Sequence, residues 1–330
     1  MTNPHPIETI LSMIKLEDHH LEAIRTAAPK AHFIQSGGRK ELEKKIDEYM
    51  PNVEVVLFNH YWDRNSILHI LNGPRLRWLQ QIGAGSNWLM DYPEVVEKDI
   101  ILTTASGIHA IPISEHVLAL ILNLSRDIQR GIRDQIKHRW NRKRLVTELE
   151  DATMGLIGVG RIGEKTAEKA KALNMRVLGI RRNPNRSSPW VDQMFAPDNL
   201  MEMLPQADWV VIAAPLTQQT KGMIGERDLT AMKKSACLIN IARGPLVQEK
   251  ALIKALQEGW IAGAGLDVFE EEPLPEDSPL WDMDNVIITA HYAGLTPQYN
   301  DRLIEIFTEN LRRYQSGEPL INVVDKRLGY

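Results

Sequence analysis

The chain has 330 residues, of which 43% are hydrophobic and 25% are charged. This composition is typical of a globular protein and excludes a disordered or fibrous one. The net charge of −4 offers no general attraction to nucleic acid or to an anionic membrane surface. We therefore expect local groups to hold any anion that binds, and the length favours two domains of about 100 to 200 residues each.

Two features of the sequence bear on the compartment. Cys237 is the single cysteine, so we expect a buried apolar side chain in place of a disulfide, a thiolate cluster or a reactive thiol. The first six residues lack the basic and apolar regions of a signal peptide, and the most apolar stretch, residues 117–124, is shorter than the about 20 residues of a bilayer span. We expect a cytoplasmic protein.

Short β-branched runs alternate with amphipathic helical stretches along the chain, which is typical of parallel sheets covered by helices. In the first third, the pattern predicts a helix at 17–28 and strands at 31–35, 53–59 and 76–82. A long helix follows from Val117 toward Arg130, and then a basic stretch, 139–144, which we interpret as a solvated connection between lobes. The second half predicts five strands and one further helix. These strands lie at 154–157, 176–180, 209–213, 238–241 and 286–289, and the helix at 301–314.

The strongest local motif is the glycine-rich turn between the strand at 154–157 and the helix that follows it. It contains the candidate cofactor contacts Gly158, Gly160, Arg161, Ile162 and Gly163. In a dinucleotide site, the glycines allow a tight turn, close approach of a pyrophosphate and close helix packing, and the helix start attracts the anion. A structural turn or an S-adenosylmethionine site would use a similar motif, but the strand and helix on either side favour a dinucleotide.

The end of the next strand bears on the choice between NADP and NAD. An NAD site usually has a carboxylate there for the ribose hydroxyls, whereas this chain has Arg181 and Arg182. Two guanidinium groups can pair with a 2′-phosphate. We predict a preference for NADP(H), with NAD(H) as a possible cofactor and a solvated arginine pair as the alternative interpretation.

Three later segments carry polar side chains just past predicted strands, where open α/β sheets bind ligands. They provide Arg243, Glu272 and His291. Individually these residues could be a surface ion pair, part of a solvated acidic run and a histidine beside a turn. Together they can bind a 2-keto acid, supply a proton and accompany hydride transfer from a nicotinamide.

The order of these motifs resembles the D-isomer-specific 2-hydroxyacid dehydrogenase family. The motifs are the glycine fingerprint, N-I-A-R-G at 240–244, L-D-V-F-E-E-E-P at 266–273 and the late histidine. The resemblance implies two Rossmann-like or flavodoxin-like parallel-sheet domains separated by a cleft. It implies a discontinuous substrate domain, 1–102 with 296–330, a dinucleotide-binding domain, 103–295, and a homodimer built through the nucleotide domains.

By the same resemblance, Arg243 binds the substrate, Glu272 is the catalytic carboxylate, and His291 is the acid/base beside the cofactor. The loop at 82–87 aligns with a substrate loop whose backbone N–H groups bind the carboxylate, which implicates Ala84 and Gly85. Asn87 stands where the family commonly has aspartate. The remaining cofactor contacts implied are Ala214, Pro215, Ala242, Asp267 and Gly294.

Several of these assignments have alternatives. Asp267 could contact the nicotinamide carboxamide or cap a turn as a structural acid. His109 could line the cleft, although we prefer a packing role, and Trp140 could reach a partner's active site or lie buried in an interface. We expect no metal site, because His19 and His20 are adjacent on a predicted helix and should point in different directions.

We expect an NADPH-dependent reductase that converts a small 2-keto acid to the D-hydroxy acid. Glyoxylate, hydroxypyruvate, pyruvate and longer 2-keto acids all remain open as substrates, because a methylene changes selectivity by only about 1 to 3 kcal/mol. The alternative is a dinucleotide-sensing, corepressor-like binding protein of the same fold.

Overall fold

The computed structural model of the chain describes residues 6–36, 38–59, 62–85 and 87–327. These residues divide into two compact units. The first comprises the residues up to Ile108 together with those from Thr296, and the second is His109–Leu295. The assignment of substrate and dinucleotide binding to separate domains stays a prediction.

The strands and helices alternate along most of the chain. The strands are β1 (Thr9–Ser12), β2 (His32–Gln35), β3 (Val55–Phe58), β4 (Trp78–Gln81), β5 (Ile101–Thr103), β6 (Thr153–Ile157), β7 (Arg176–Ile180), β8 (Gln193–Phe195), β9 (Trp209–Ile212), β10 (Cys237–Asn240), β11 (Gly263–Leu266) and β12 (Val286–Ile288). The helices are α1 (Asp18–Ala27), α2 (Arg39–Tyr49), α3 (Arg64–Leu71), α4 (Pro93–Glu97), α5 (Ala110–Ser125), α6 (Ile128–Ile136), α7 (Arg161–Ala172), α8 (Leu200–Met203), α9 (Glu226–Ala231), α10 (Glu249–Gln257) and α11 (Tyr299–Ser316).

The first unit contains a five-stranded parallel sheet in the order β2-β1-β3-β4-β5, which is the flavodoxin-like strand order. Successive residues of its strands point to opposite faces and enter separate apolar clusters. Leu11 and Val56 pack with residues of α2 and α3, whereas Ile10 and Val55 pack with residues of α1 and α11. Helices therefore cover both faces of this sheet, which explains why β1, β3 and β4 are buried throughout.

The second unit contains a seven-stranded parallel sheet in the order β12-β11-β10-β9-β6-β7-β8. Its first strand along the chain, β6, lies inside the sheet beside the central strand β9, and the strand order reverses between β6 and β9. This is a Rossmann-type arrangement, and such a reversal is where open α/β sheets bind ligands. The predicted α/β class with two parallel sheets is confirmed.

The predicted continuous helix from Val117 toward Arg130 is wrong. Helix α5 begins earlier, at Ala110, with Pro112 in its first turn, and ends at Ser125 before the separate helix α6. Asp127, between them, has a left-handed φ of 53°, which interrupts right-handed helical geometry.

The prediction that His19 and His20 point in different directions is also wrong. Their Nε2 atoms lie 3.0 and 2.9 Å from the same oxygen, Oδ1 of Asp301, and this joins α1 to α11. The Glu17 N–H donates to Nδ1 of His20, so the ring proton of His20 is on Nε2 and is donated to Asp301. Hydrogen bonds from His19 and then His20 lower the pKa of the Asp301 carboxyl.

Within the described ranges, no helix combines the length and apolar character needed to span a membrane.

Candidate active site

The glycine-rich turn joins the end of β6 to the start of α7. Gly158 has φ 102°, and a Cβ at this position would lie 2.6 Å from the Ala214 nitrogen. A Cβ on Gly163 would overlap the Gly158 carbonyl, whereas one on Gly160 would meet no atom within 4 Å. Gly158 and Gly163 are therefore required by close backbone packing, and the backbone at Gly160 is open to a ligand.

This geometry fits the pyrophosphate of a dinucleotide. Arg161 and Ile162 form the first turn of α7, where backbone N–H groups have no carbonyl partner within the helix and create a positive potential. Ala214 and Pro215 follow β9, the strand beside β6, so the two loops meet at the reversal of strand order. These residues are the ones that would hold the cofactor phosphates.

The two arginines after β7 differ in their surroundings. Arg181 is 12% exposed and its Nη2 lies 3.2 Å from Oε1 of Glu164, on α7. The other Glu164 oxygen accepts a hydrogen bond from the Ser188 hydroxyl at 2.5 Å. Arg182 is exposed. The interpretation of both arginines as a solvated pair therefore does not hold for Arg181. The sequence did not indicate that Glu164 and Ser188 would contribute to the surroundings of this arginine.

Arg243 is carried by a short turn after β10. The Asn240 side chain closes this turn by accepting from the Ala242 N–H and donating to the Arg243 carbonyl, both at 3.1 Å. Ala242 is buried, and the exposed Arg243 donates through Nη1 to the Ala242 carbonyl at 2.6 Å. The next residue, Gly244, packs so closely on the backbone of Phe269 that a Cβ would overlap the Phe269 carbonyl. The arginine turn and the acidic segment after β11 are therefore in direct backbone contact.

Glu272 and His291 form a close pair. The Nδ1 atom of His291 lies 2.7 Å from Oε2 of Glu272, while Oε1 of Glu272 accepts from the Phe269 N–H at 3.0 Å. The side chain of His291 is 48% exposed and that of Glu272 is 36% exposed. Since the carboxylate can only accept, Nδ1 carries a proton, and Nε2 is the ring atom left to exchange a proton with a substrate.

Asp267 is buried, with 1% of its surface exposed, and holds the segment that carries His291. Its carboxylate accepts from the Thr289 hydroxyl at 2.6 Å and from the backbone N–H groups of Tyr292 and Ala293, each at 3.1 Å. His291 has a left-handed φ of 53°, which costs a non-glycine residue about 1 to 3 kcal/mol and persists where neighbours fix it. These contacts fit the structural role considered for Asp267, that of an acid that caps a turn. Its contact with the nicotinamide stays a prediction.

The strand register brings three of these loops to one edge of the sheet. Asn240 pairs with Leu266, and Leu266 pairs with Ile288, at the carboxyl ends of β10, β11 and β12. Arg243, Glu272 and His291 therefore all follow neighbouring strands at the same edge.

The remaining predicted residues are His109, Trp140, Ala84 and Gly85. Nδ1 of His109 lies 3.1 Å from the Gly294 carbonyl, in accord with a packing role, and Trp140 is 94% exposed. In the first unit, Ala84 and Gly85 follow β4, and Nε2 of Gln81 donates a hydrogen bond to the Gly85 carbonyl. Ser86, within the same loop, lies outside the described residues.

Sequence reasoning also missed His116, on α5. Its Nε2 lies 3.0 Å from the Thr289 hydroxyl oxygen and 3.8 Å from an Asp267 carboxylate oxygen. Burial lowers the pKa of His116, an effect that the Asp267 charge opposes.

Comparison with known proteins gives consistent results. Residues 118–293 match the family model described as D-isomer specific 2-hydroxyacid dehydrogenase, NAD binding domain. The chain is 37% identical over 266 residues to a glyoxylate reductase of Pyrococcus furiosus, covering 78% of each protein.

Two solved structures are similar over nearly the whole chain. A D-isomer specific 2-hydroxyacid dehydrogenase from Xanthobacter autotrophicus Py2, in complex with NADPH and MES, has a TM-score of 0.80 at 29% identity, covering 99% of this chain and 100% of that one. An NADPH-dependent glyoxylate/hydroxypyruvate reductase from Sinorhizobium meliloti, in complex with NADP and sulfate, has a TM-score of 0.79 at 26% identity, covering 98% and 100%.

Proposed function

The chain belongs to the D-isomer-specific 2-hydroxyacid dehydrogenase family of NAD(P)-dependent oxidoreductases acting on CH–OH groups, and we propose that it reduces a small 2-keto acid with NADPH. The observation that carries this proposal is the 2.7 Å contact between Nδ1 of His291 and Oε2 of Glu272. It lies at the sheet edge where the Arg243 turn packs against the acidic segment.

His291 is the proton donor in this proposal. When bound, the reduced nicotinamide supplies the hydride for the keto carbon. Protonated Nε2 of His291 donates its proton to the alkoxide that develops on the keto oxygen. Glu272 accepts from Nδ1, fixes the ring orientation and stabilises the imidazolium.

Arg243 binds the substrate in this proposal. Its guanidinium pairs with the carboxylate of the keto acid and places positive charge beside the ketone, where negative charge grows during reduction. We also propose that the backbone N–H groups of Ala84 and Gly85 contribute to substrate binding. An Arg243→Ala variant should therefore show a higher KM and a lower kcat together, and full activity of that variant would remove Arg243 from the pocket.

The proposed preference for NADPH rests on Arg181 and Arg182. The chain has no carboxylate at the end of β7 to bind ribose hydroxyls, and Glu164 holds the Arg181 side chain in place. The two solved relatives above are named with NADPH or NADP. We expect a lower KM for NADPH than for NADH, and an Arg182→Ala variant should narrow that difference. A lower KM for NADH would contradict the preference.

The direct test of the reaction follows the absorbance of reduced nicotinamide when NADPH is mixed with glyoxylate, hydroxypyruvate or pyruvate. Glyoxylate comes first because the Pyrococcus furiosus relative is named for its reduction. We expect turnover with at least one of these acids and a D-hydroxy acid where the product is chiral. No turnover with any of them would favour the dinucleotide-sensing alternative.

We also propose that the protein is a homodimer formed through its second unit. Helix α6 presents isoleucines at four-residue spacing on one face, and the segment after it exposes more apolar side chains. The exposed residues are Ile128, Ile132, Ile136, Trp140, Leu145 and Val146. A row of exposed isoleucines along one helix face is typical of a protein interface, and we propose that a second copy covers it.

Light scattering tests this assembly. We expect twice the mass of the chain for the wild type and a single chain for a variant with both Ile132→Glu and Ile136→Glu. A matched Glu115→Gln variant, on exposed surface of α5, should remain dimeric. A wild type that stays monomeric at micromolar concentration would contradict the proposal.

A further inference from the structure

The segment that carries the proposed acid, residues 289–294, is held by helix α5. His109 bonds the Gly294 carbonyl at 3.1 Å, and His116 bonds the Thr289 hydroxyl at 3.0 Å. His109 directly precedes the first residue of α5, and His116 lies about two turns further along the helix. One end of the segment is therefore bonded to the residue that precedes α5 and the other end to α5 itself.

The donors and acceptors of this contact can be assigned. The Thr289 hydroxyl has one proton, and its oxygen lies 2.6 Å from Oδ1 of Asp267, which as a carboxylate only accepts. Thr289 therefore donates to Asp267 and accepts from His116, so the proton of the neutral His116 ring is on Nε2. Burial lowers the pKa of His116 and keeps this donor neutral, although Asp267 opposes the shift. The ring also packs edge-on against Tyr292, with ring centroids 5.5 Å apart.

Asp267 connects His116 to the backbone of His291. Its carboxylate accepts from the N–H groups of Tyr292 and Ala293, which follow His291, and its carbonyl accepts from the His291 N–H at 2.9 Å. His291 adopts φ 53°. A non-glycine residue keeps this conformation where surrounding contacts enforce it. The orientation of the His291 ring therefore depends on the hydrogen bonds to Asp267.

We propose that His116 is a positioning residue for His291: its Nε2–H orients Thr289 and Asp267 so that the His291 ring meets Glu272 and the substrate. The effect on catalysis rests on the function proposed above. The effect on the His291 ring is a property of the chain alone and can be measured without turnover.

Three variants separate positioning from simple loss of folding. His116→Leu removes the donor at similar volume, and His116→Gln retains an N–H at about the place of Nε2. Glu115→Gln, at an exposed neighbouring position, is the matched control.

The first readout is the kinetics of glyoxylate reduction by NADPH, corrected for the folded fraction. For His116→Leu we expect kcat to fall about 10- to 100-fold, the range found when a residue that orients a metal-binding histidine is removed. The KM for glyoxylate should stay near the wild-type value, because Arg243 and the substrate loop are untouched. His116→Gln should recover most of the loss, and Glu115→Gln should behave as wild type.

The second readout is the nitrogen NMR spectrum of the full chain labelled at histidine, with His291→Gln assigning the His291 signals. In the wild type we expect a hydrogen-bonded Nδ1–H for His291 and a neutral Nε2–H ring for His116. In His116→Leu the His291 signal should shift or broaden, and in His116→Gln and Glu115→Gln it should not. An unchanged His291 signal in His116→Leu overturns the proposal, whatever happens to kcat. If the wild type reduces no keto acid but the His291 signal still responds, the proposed function fails and the positioning role stands.

Discussion

At the scale of single residues, burial separates the roles of two carboxylates that lie close together in sequence. Asp267 is 1% exposed and uses both oxygens to hold the backbone around His291, whereas the Glu272 side chain is 36% exposed and meets the His291 ring. The sequence placed Glu272 and His291 in segments just past predicted strands, and the family resemblance implied their roles as catalytic carboxylate and acid/base. It could not predict that His116, 173 residues from Thr289 along the chain, would support the same loop.

The lowered pKa of His116 predicts part of the dependence of stability on pH. Its ordinary value is 6.5, and burial disfavours the imidazolium in the folded chain more than Asp267 favours it. Below pH 6.5 the unfolded chain binds more protons at this residue than the folded chain does, so folding stability falls as pH falls. The contribution of neutral His116 to the free energy of unfolding is fully present above pH 6.5 and is lost as the pH falls through the lower pKa of the folded chain.

Thermal unfolding between pH 7.5 and pH 5 measures this effect. His116→Gln should lose less stability over that range than the wild type, because glutamine does not titrate. His32→Gln removes an exposed imidazole and serves as the control. An equal loss of stability in His116→Gln and in the wild type would contradict the lowered pKa of His116.

Among the secondary-structure elements, the glycine turn was predicted correctly because a β-branched strand precedes the three glycines and an amphipathic helical pattern follows them. Strand β11 was missed because its sequence, G-A-G-L, has little β propensity. It is nevertheless buried, and a Cβ on Gly265 would lie 3.1 Å from Leu120 of α5, so tertiary packing selects small residues there. The break between α5 and α6 was also missed, since neither glycine nor proline marks Asp127.

Two glycine substitutions should separate stability from cofactor binding. Gly244→Ala places a Cβ against the Phe269 backbone, which cannot move aside as a flexible side chain could. Overpacking of this kind usually lowers the free energy of unfolding by about 1 to 3 kcal/mol. Gly160→Ala meets no atom within 4 Å, so it should leave the folded chain stable while obstructing the pyrophosphate. Urea unfolding and NADPH titration of both variants measure the two effects. A destabilised Gly160→Ala variant with unchanged NADPH binding would contradict this assignment.

At the scale of the whole molecule, the contact of α1 with α11 joins the beginning and the end of the chain within the first unit. Periodicity predicted both helices but not this contact, because it depends on tertiary packing across 281 positions. His19 and His20 lower the pKa of Asp301 from its ordinary 3.8. The carboxylate therefore stabilises the folded chain above pH 3.8, and this contribution is lost as the pH falls through the lower folded value.

Acid unfolding of an Asp301→Asn variant tests that contact. We expect the variant to be less stable than the wild type at neutral pH, with the difference shrinking as the pH falls below about 4, where the wild-type carboxyl protonates. If the difference in stability between the variant and the wild type stayed constant from pH 7 to pH 2, the charge on Asp301 would not be its cause.

The decisive test of proton transfer by His291 compares the wild type with His291→Gln for NADPH oxidation by glyoxylate, with NADPH binding followed separately by fluorescence. General acid catalysis contributes about 10²- to 10⁴-fold to rates, so kcat of the variant should fall by that factor while NADPH still binds. A variant that binds NADPH and reduces glyoxylate at the wild-type rate would contradict the proposal that His291 supplies the proton.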